Sequence, residues 1–268
     1  MSIQSPDDYL AAQRQIIPFI KLLSGTAANS NYQMGFPFIG IPPAGSLSAS
    51  DAVNGIVPVA GTDGFPKIAA FPSGGVGYLS RARISGWNNS GKVFLYDHLY
   101  RIGAFTATAA TTVNPTAPDY SGRLPNGDAT RTLLLLECSA TMHPGGQVTV
   151  TYTNEAGVTG RTTTYNFTTS PYLGGYSIVE VPLQAGDKGV KSIQSISYSG
   201  LTAGDGFNVS VVRPLLDFFT DNISFTDTFD LFRTGMPQVF QTSALSLFYN
   251  GDGTNITIPV GLIEIASK

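Results

Sequence analysis

The clearest pattern along the chain is a two-residue alternation in its second half. Over residues 147–153, Val148, Val150 and Tyr152 alternate with Thr149, Thr151 and Thr153, the signature of a strand with one buried and one exposed face. Residues 133–136 form a continuous leucine run of strand length, which reads as a strand buried on both faces. Further strands are predicted over 158–167, 177–183, 190–198 and 207–213, separated by turn sequences such as Asn154-Glu155-Ala156-Gly157 and Gly204-Asp205-Gly206. In the first half, 78–84 and 92–96 flank Asn88-Asn89-Ser90-Gly91 and predict a hairpin. Near the end, 243–249 and 255–265 flank Asn250-Gly251-Asp252-Gly253-Thr254 and predict a closing hairpin.

Helical signal is confined to the start. Ser5-Pro6-Asp7-Asp8 offers an N-cap, a proline for the first helical position and acids for the positive end of the dipole. The spacing of Tyr9, Leu10, Gln13, Ile16 and Ile17 extends this helix to about residue 17, just before Pro18. From 22 to 50 the chain carries no charge, and its Pro and Gly density excludes long helices. The Thr/Ala-rich stretch 105–118 reads as a loop or irregular strand.

The expected fold is therefore mainly β: an antiparallel β-sandwich, jelly-roll-like, with a short N-terminal helix and an extended arm. Residues 1–23 form the helical arm and 24–268 the sandwich, loop-rich up to 130 and most regular from 131 onward. No repeat of fixed period is visible, which disfavours propellers and solenoids.

Composition narrows the function. Charged residues make up 12% of the chain, about half the usual share, and Gly, Ser, Thr and Asn take their place. A neutral hydroxyl and amide surface costs less to desolvate on association than one of Lys and Glu, although Thr/Ser-rich strands are also ordinary in secreted and virion β proteins. A net charge of −3 gives no general attraction for nucleic acid or anionic membranes, and neither is expected as a partner. The acidic amino terminus lacks a signal-peptide apolar region, and the apolar run 133–136 is too short to span a bilayer, so a product made in the cytoplasm is expected. Cys138 is the sole cysteine, which excludes an intramolecular disulfide. Five Asn-X-Ser/Thr triplets, at Asn88, Asn166, Asn208, Asn222 and Asn255, read as chance in a Thr-rich chain.

Candidate chemistry is sparse. A Ser-His-Asp hydrolase would have to use His98 or His143. Asp97 and His98 are adjacent on a strand and point to opposite faces, while His143-Pro144-Gly145-Gly146 reads as a turn. Asp217, Asp221, Asp227 and Asp230 could supply a glycosidase pair or, with Asp252, a calcium site, but the spacing does not match an EF-hand, and acids in turns more often cap or face solvent. Gly74-Gly75-Val76-Gly77 lacks the lysine and helix signal of a phosphate loop. Trp87 reads either as a sugar platform or as a ring capping the core. We expect no catalytic, metal or cofactor-binding residues, no cofactor, and no enzymatic activity.

Several stretches resemble a group of virion structural proteins of tailed bacteriophages. They are residues 5–15 (SPDDYLAAQRQ), 77–105 with YLSRARISG and KVFLYDHLYRIGAF, 146–164 (GQVTVTYTNEAGVTGRTTT), 181–196 (VPLQAGDKGVKSIQSI), 207–215 (FNVSVVRPL) and 234–244 (TGMPQVFQTSA). The resemblance implies a head-associated decoration or cement subunit, a β-sandwich on the capsid surface of the virion, with the major capsid protein and further copies of itself, as a homotrimer, for partners. On this reading the apolar N-terminal region docks on a neighbour, through Tyr9, Leu10, Ile16, Ile17, Phe19, Phe36, Phe38 and Ile39. The same segments could equally cover an open edge of their own sheet. The alternatives are a glycan- or receptor-binding module of a tail or head fibre and, behind it, a glycan-degrading enzyme.

Overall fold

The structure is a computed structural model that describes residues 3, 5–21, 31–33, 40–72, 75–85, 91–106, 110–116, 118–168, 173, 175–220, 226–251 and 260–268. Helix α1 spans Pro6–Ala11 and is followed by β1 (Gln13–Lys21), β2 (Asn31–Gln33), β3 (Gly40–Ile41), β4 (Gly77–Ser85) and β5 (Gly91–Thr106). Next come β6 (Thr111–Val113), β7 (Leu133–Cys138), β8 (Gln147–Asn154), β9 (Arg161–Asn166), β10 (Ile178–Glu180) and β11 (Val190–Ser199). The chain continues through β12 (Gly206–Thr220), β13 (Thr226–Phe229), the one-turn helix α2 (Leu231–Thr234), β14 (Gln238–Val239), β15 (Leu245–Gly251) and β16 (Val260–Ser267).

These strands make three sheets. Sheet A runs β13-β4-β16-β1-β3 with β14 alongside β4, sheet B runs β10-β7-β12-β5-β15-β2, and sheet C runs β6-β11-β8-β9. The ladders between these strands are antiparallel, so the chain is mainly antiparallel β in a sandwich-like stack, as its alternation predicts. Strands β5 and β12, of 16 and 15 residues, pair along their length and form a spine shared by two cores. At one end of the spine Val93, Leu95 and Leu215, with Leu245 and Leu247 of β15, pack against Ile17, Phe19, Leu79, Ile263 and Ile265 of sheet A. At the other end Leu99, Ile102, Val209 and Val211, with Leu134 and Leu136 of β7, pack against Val148, Val150, Ile193 and Ile196 of sheet C.

The helix starts where expected. Ser5 Oγ accepts from Asp8 N at 3.1 Å, and Pro6 opens the first turn. It ends at Ala11, however, and the predicted extension to residue 17 is strand β1. The reason lies in the side chains: Gln13–Lys21 is rich in β-branched isoleucine and contains Pro18, which a helix interior does not accept. Pro18 pairs with Leu262 on the β16 side, and β3 joins the other side only at Ile20 and Lys21, an edge-like position that suits proline.

Both predicted hairpins are corrected. Strands β4 and β5 are consecutive but enter different sheets, β4 beside β16 and β5 beside β12 and β15. Likewise β15 joins sheet B and β16 joins sheet A. In each case a turn-like sequence separates strands whose apolar faces meet across the core from opposite sheets. The turns themselves, 86–90 and 252–259, lie outside the described residues. Strands β8 and β9, separated by the turn sequence Asn154-Glu155-Ala156-Gly157, do pair with each other, with Thr149 opposite Thr164.

Candidate functional site

Asp97 and His98 do face opposite sides of β5, and each belongs to a buried polar cluster. On the side of sheet A, Asp97 accepts from Ser243 Oγ at 2.7 Å, from Ala244 N at 2.9 Å and from Arg213 Nη2 at 3.3 Å, and pairs with Arg123. The two guanidinium groups spread the remaining charge over carbonyls: Arg123 also donates to Pro58 O and to His98 O, and Arg213 donates to Gln238 O at 2.8 Å. This cluster fastens the 58–59 loop, the 121–123 turn and the 238–244 segment to the spine.

On the opposite side of sheet B, Glu137 accepts from Arg101 Nε at 2.8 Å and from Ser210 Oγ at 2.6 Å, and lies 3.6 Å from His98 Nδ1. Burial pushes the Glu137 carboxyl up, but Arg101 and then His98 pull it below its ordinary value, so it stays charged. His98 is itself fully buried between the Phe65 and Phe248 rings, and burial lowers its pKa to about 4. Arg101 reaches Ser46 O at 3.1 Å and Leu47 O, and Asn208 Nδ2 donates to Leu47 O at 2.9 Å while its Oδ1 accepts from Ala49 N at 2.9 Å. Segment 46–49 is thereby fastened to β5 and β12. Both clusters hold loops on the spine, and their charges have protein partners and no open approach.

His143 sits at a turn as expected, and the structure adds a partner 62 residues away: its Nδ1 lies 2.7 Å from Asp205 Oδ1. Asp205 is buried and also accepts from His143 N at 3.1 Å and Thr202 N at 2.7 Å, so this acid pins two turns together. An imidazole oriented by a buried acid through Nδ1 is one component of an acyl-transfer site, and only the turn residues hinted at it in the sequence. Cys138 is buried, and burial pushes its thiol up to about 12, which makes it an inert core residue.

The remaining acidic candidates separate. Asp217 pairs at 3.8 Å with exposed Lys92, and Asp230 caps α2 by accepting from Phe232 N and Arg233 N, both at 3.1 Å. Asp227 lies on β13 opposite Ile84, while Asp221, Asp252 and Trp87 lie outside the described residues. Among the described residues no group of three His, Cys, Asp or Glu is placed to hold a metal ion, and no helix is long and apolar enough to cross a membrane. Asn208, first residue of one glycosylation triplet, is fully buried.

The proposed contact residues divide by strand parity. Ile17 and Phe19 are buried in the chain's own core, whereas Ile16, on the other face of β1, is 63% exposed. Phe36, Phe38 and Ile39 lie outside the described residues. Tyr9 donates to Glu264 Oε1 at 3.0 Å, beside Ser80 Oγ at 2.9 Å from the same oxygen, and this ties α1 over the outer face of sheet A. Leu10 is left 67% exposed. Along the same face, Leu262 is opposite Pro18 and Ile41 is opposite Ile20, and all three of Ile20, Ile41 and Leu262 are exposed. Between α1 and α2 lies a hollow of about 230 Å³ lined by Ile3, Pro6, Tyr9, Leu231, Phe232 and Met236, with Phe232 85% exposed.

No family model matches the chain, and no curated protein does. Among solved structures it is similar to the VP2 subviral particle of infectious bursal disease virus, at 12% identity over 95% of this chain and 81% of that one, with a TM-score of 0.19. It is also similar to the structure of the Gt strain of the same virus, at 12% identity over 95% and 80%, with a TM-score of 0.20. Scores of this size do not establish a common fold.

Proposed function

We propose that the chain is a non-enzymatic structural subunit of a virion, a decoration or cement protein of a tailed-phage head that binds the major capsid protein and further copies of itself as a homotrimer. The observation that carries this reading is the outer face of sheet A, where Ile16, Ile20, Ile41 and Leu262 stand exposed on paired strands. Apolar side chains scattered singly on a surface are ordinary, but a set aligned along one sheet face is the composition of an association surface. The buried ion clusters support it as well, because they take Asp97, Arg101, Arg123, Glu137 and Arg213 out of an already small set of charges and use them inside the fold as loop fasteners. A subunit repeated over a lattice gains its affinity from many weak contacts, so no single deep pocket is required.

The test is co-sedimentation of the purified protein with capsids that lack it. Stoichiometric binding that Ile16→Lys and Leu262→Lys each weaken is expected, together with a trimer mass by light scattering. Wild-type protein that stays in the supernatant at all concentrations would end the proposal.

A further inference from the structure

Sheet C turns a second face outward whose chemistry is unlike that of sheet A. Strand register places Thr164, Thr149, Ser197 and Thr112 side by side across β9, β8, β11 and β6. One step along the strands stand Asn166, Gln147 and Ser199, and one step the other way Thr162, Thr151 and Ser195. All of these are partly or fully exposed, while the alternating Val148, Val150, Ile196 and Tyr198 point into the core. The three rows carry no charged side chain.

The rows are also ordered by their own bonds. Thr149 Oγ1 and Thr164 Oγ1 are 2.8 Å apart, Thr112 Oγ1 and Ser197 Oγ are 2.9 Å apart, and Gln147 Nε2 donates to Asn166 Oδ1 at 2.8 Å. A hydroxyl donates once and accepts twice, and a side-chain amide does both, so every bonded pair keeps unused capacity. A hollow of about 250 Å³ opens in this face, with Thr111 and Thr112 on one side, Gln147 and Thr149 on the other, and Ser197 and Ser199 along it.

We propose that this face binds a neutral polysaccharide, with the hollow seating one sugar unit. Sugar hydroxyls donate and accept at once, and an array that does the same, held in fixed positions by its cross-strand bonds, is their complement. An uncharged ligand asks for no counter-charge, and none is present in the rows. A protein partner would instead be met by aromatic, Met and Arg side chains around an apolar centre, and on this molecule exposed apolar groups line the face of sheet A. Hydroxyl contacts exchange with water at little net gain, so one site is weak, and repetition of the subunit over a particle supplies avidity. The glycan would then be the surface to which the assembled particle adheres.

The experiment is saturation-transfer NMR on the intact protein with maltohexaose, cellohexaose, a mannose oligomer and an N-acetylglucosamine oligomer, with sialyllactose as a charged control. At least one neutral oligosaccharide is expected to bind, and the double variant Thr149→Val, Thr164→Val to lose roughly fivefold or more in affinity. Valine keeps the β-branched shape on the exposed side of the strands, so the fold is retained. Ser197→Arg, which fills the hollow from a different strand, provides an independent second variant and is expected to abolish the signal. No binding across the panel, or binding that both variants leave unchanged, overturns the assignment. Capsid co-sedimentation of the same variants is expected to be normal, so failure here is distinguishable from failure of the sheet A surface.

Discussion

Arg101 Nε donates to Glu137 Oε2 at 2.8 Å between β5 and β7, with both side chains out of contact with solvent. Strand β12 lies between them in the sheet and contributes Ser210 to the same carboxylate. A pair of this kind is costly to bury and costlier to break, because the surviving charge keeps its desolvation penalty without its partner.

Glu137→Gln and Arg101→Met are each expected to lower unfolding stability by about 3–5 kcal/mol. The double variant should cost clearly less than their sum, since it removes both charges together. Urea denaturation of the four proteins measures this, and additive losses would show that the two charges are not coupled.

Stability should also fall with acid in a window set by His98. Its folded pKa is about 4 against 6.5 for the free side chain, chiefly through burial, with Glu137 and Asp97 opposing and Arg101 and Arg123 adding to the shift. Between those values the unfolded chain holds the additional proton, so stability rises with pH across the window; it is fully present above about pH 6.5 and lost as pH falls toward 4. The loss attributable to this residue is about 2–3 kcal/mol. His98→Phe keeps a ring between Phe65 and Phe248 and is expected to flatten the pH dependence between pH 7 and 4.5. Equal slopes for variant and wild type would assign the effect elsewhere.

Asn208 holds segment 46–49 through Ala49 N and Leu47 O and also accepts from Ala104 N at 3.0 Å. Asn208→Ala leaves these buried backbone groups without a partner, at a cost of about 1–3 kcal/mol. Hydrogen exchange at Ala49 and Ala104 should accelerate more than exchange in β8 and β11, which belong to sheet C. Uniform acceleration would mean that the residue supports the whole fold and not this segment.

Neighbouring residues on β1 should behave oppositely. Ile17→Ala, inside the core, is expected to cost about 2–5 kcal/mol, whereas Ile16→Lys on the outer face should change stability by no more than about 0.5 kcal/mol. Thermal unfolding of the two variants checks both effects, and capsid co-sedimentation then reads the binding loss expected of Ile16→Lys. A large stability loss from Ile16→Lys would place this residue in the fold's own packing.

Local pattern determined the strands themselves. The alternation of Val148, Val150 and Tyr152 with threonines specified which face of β8 is buried, and adjacency on one strand was enough to separate Asp97 from His98, because side-chain direction follows from the backbone two residues at a time. The same rule missed β1, where helical spacing of Tyr9, Leu10, Gln13 and Ile16 masked a strand that its isoleucines and Pro18 favoured. Partnership between strands was not legible. Whether β4 turns back on β5 or crosses to another sheet depends on which apolar faces meet in the core, and turn-like residues between them fit both outcomes. Each polar cluster joins residues distant in sequence, such as Arg101 with Glu137 or His143 with Asp205. The hydroxyl face shows the division most clearly. The threonines of β8 were visible as an alternation, but Thr162 and Thr164 of β9, the serines of β11 and Thr112 of β6 join them only through the register that strand pairing sets. Periodicity is written in neighbouring residues, whereas register and sheet membership are settled by burial across the whole chain.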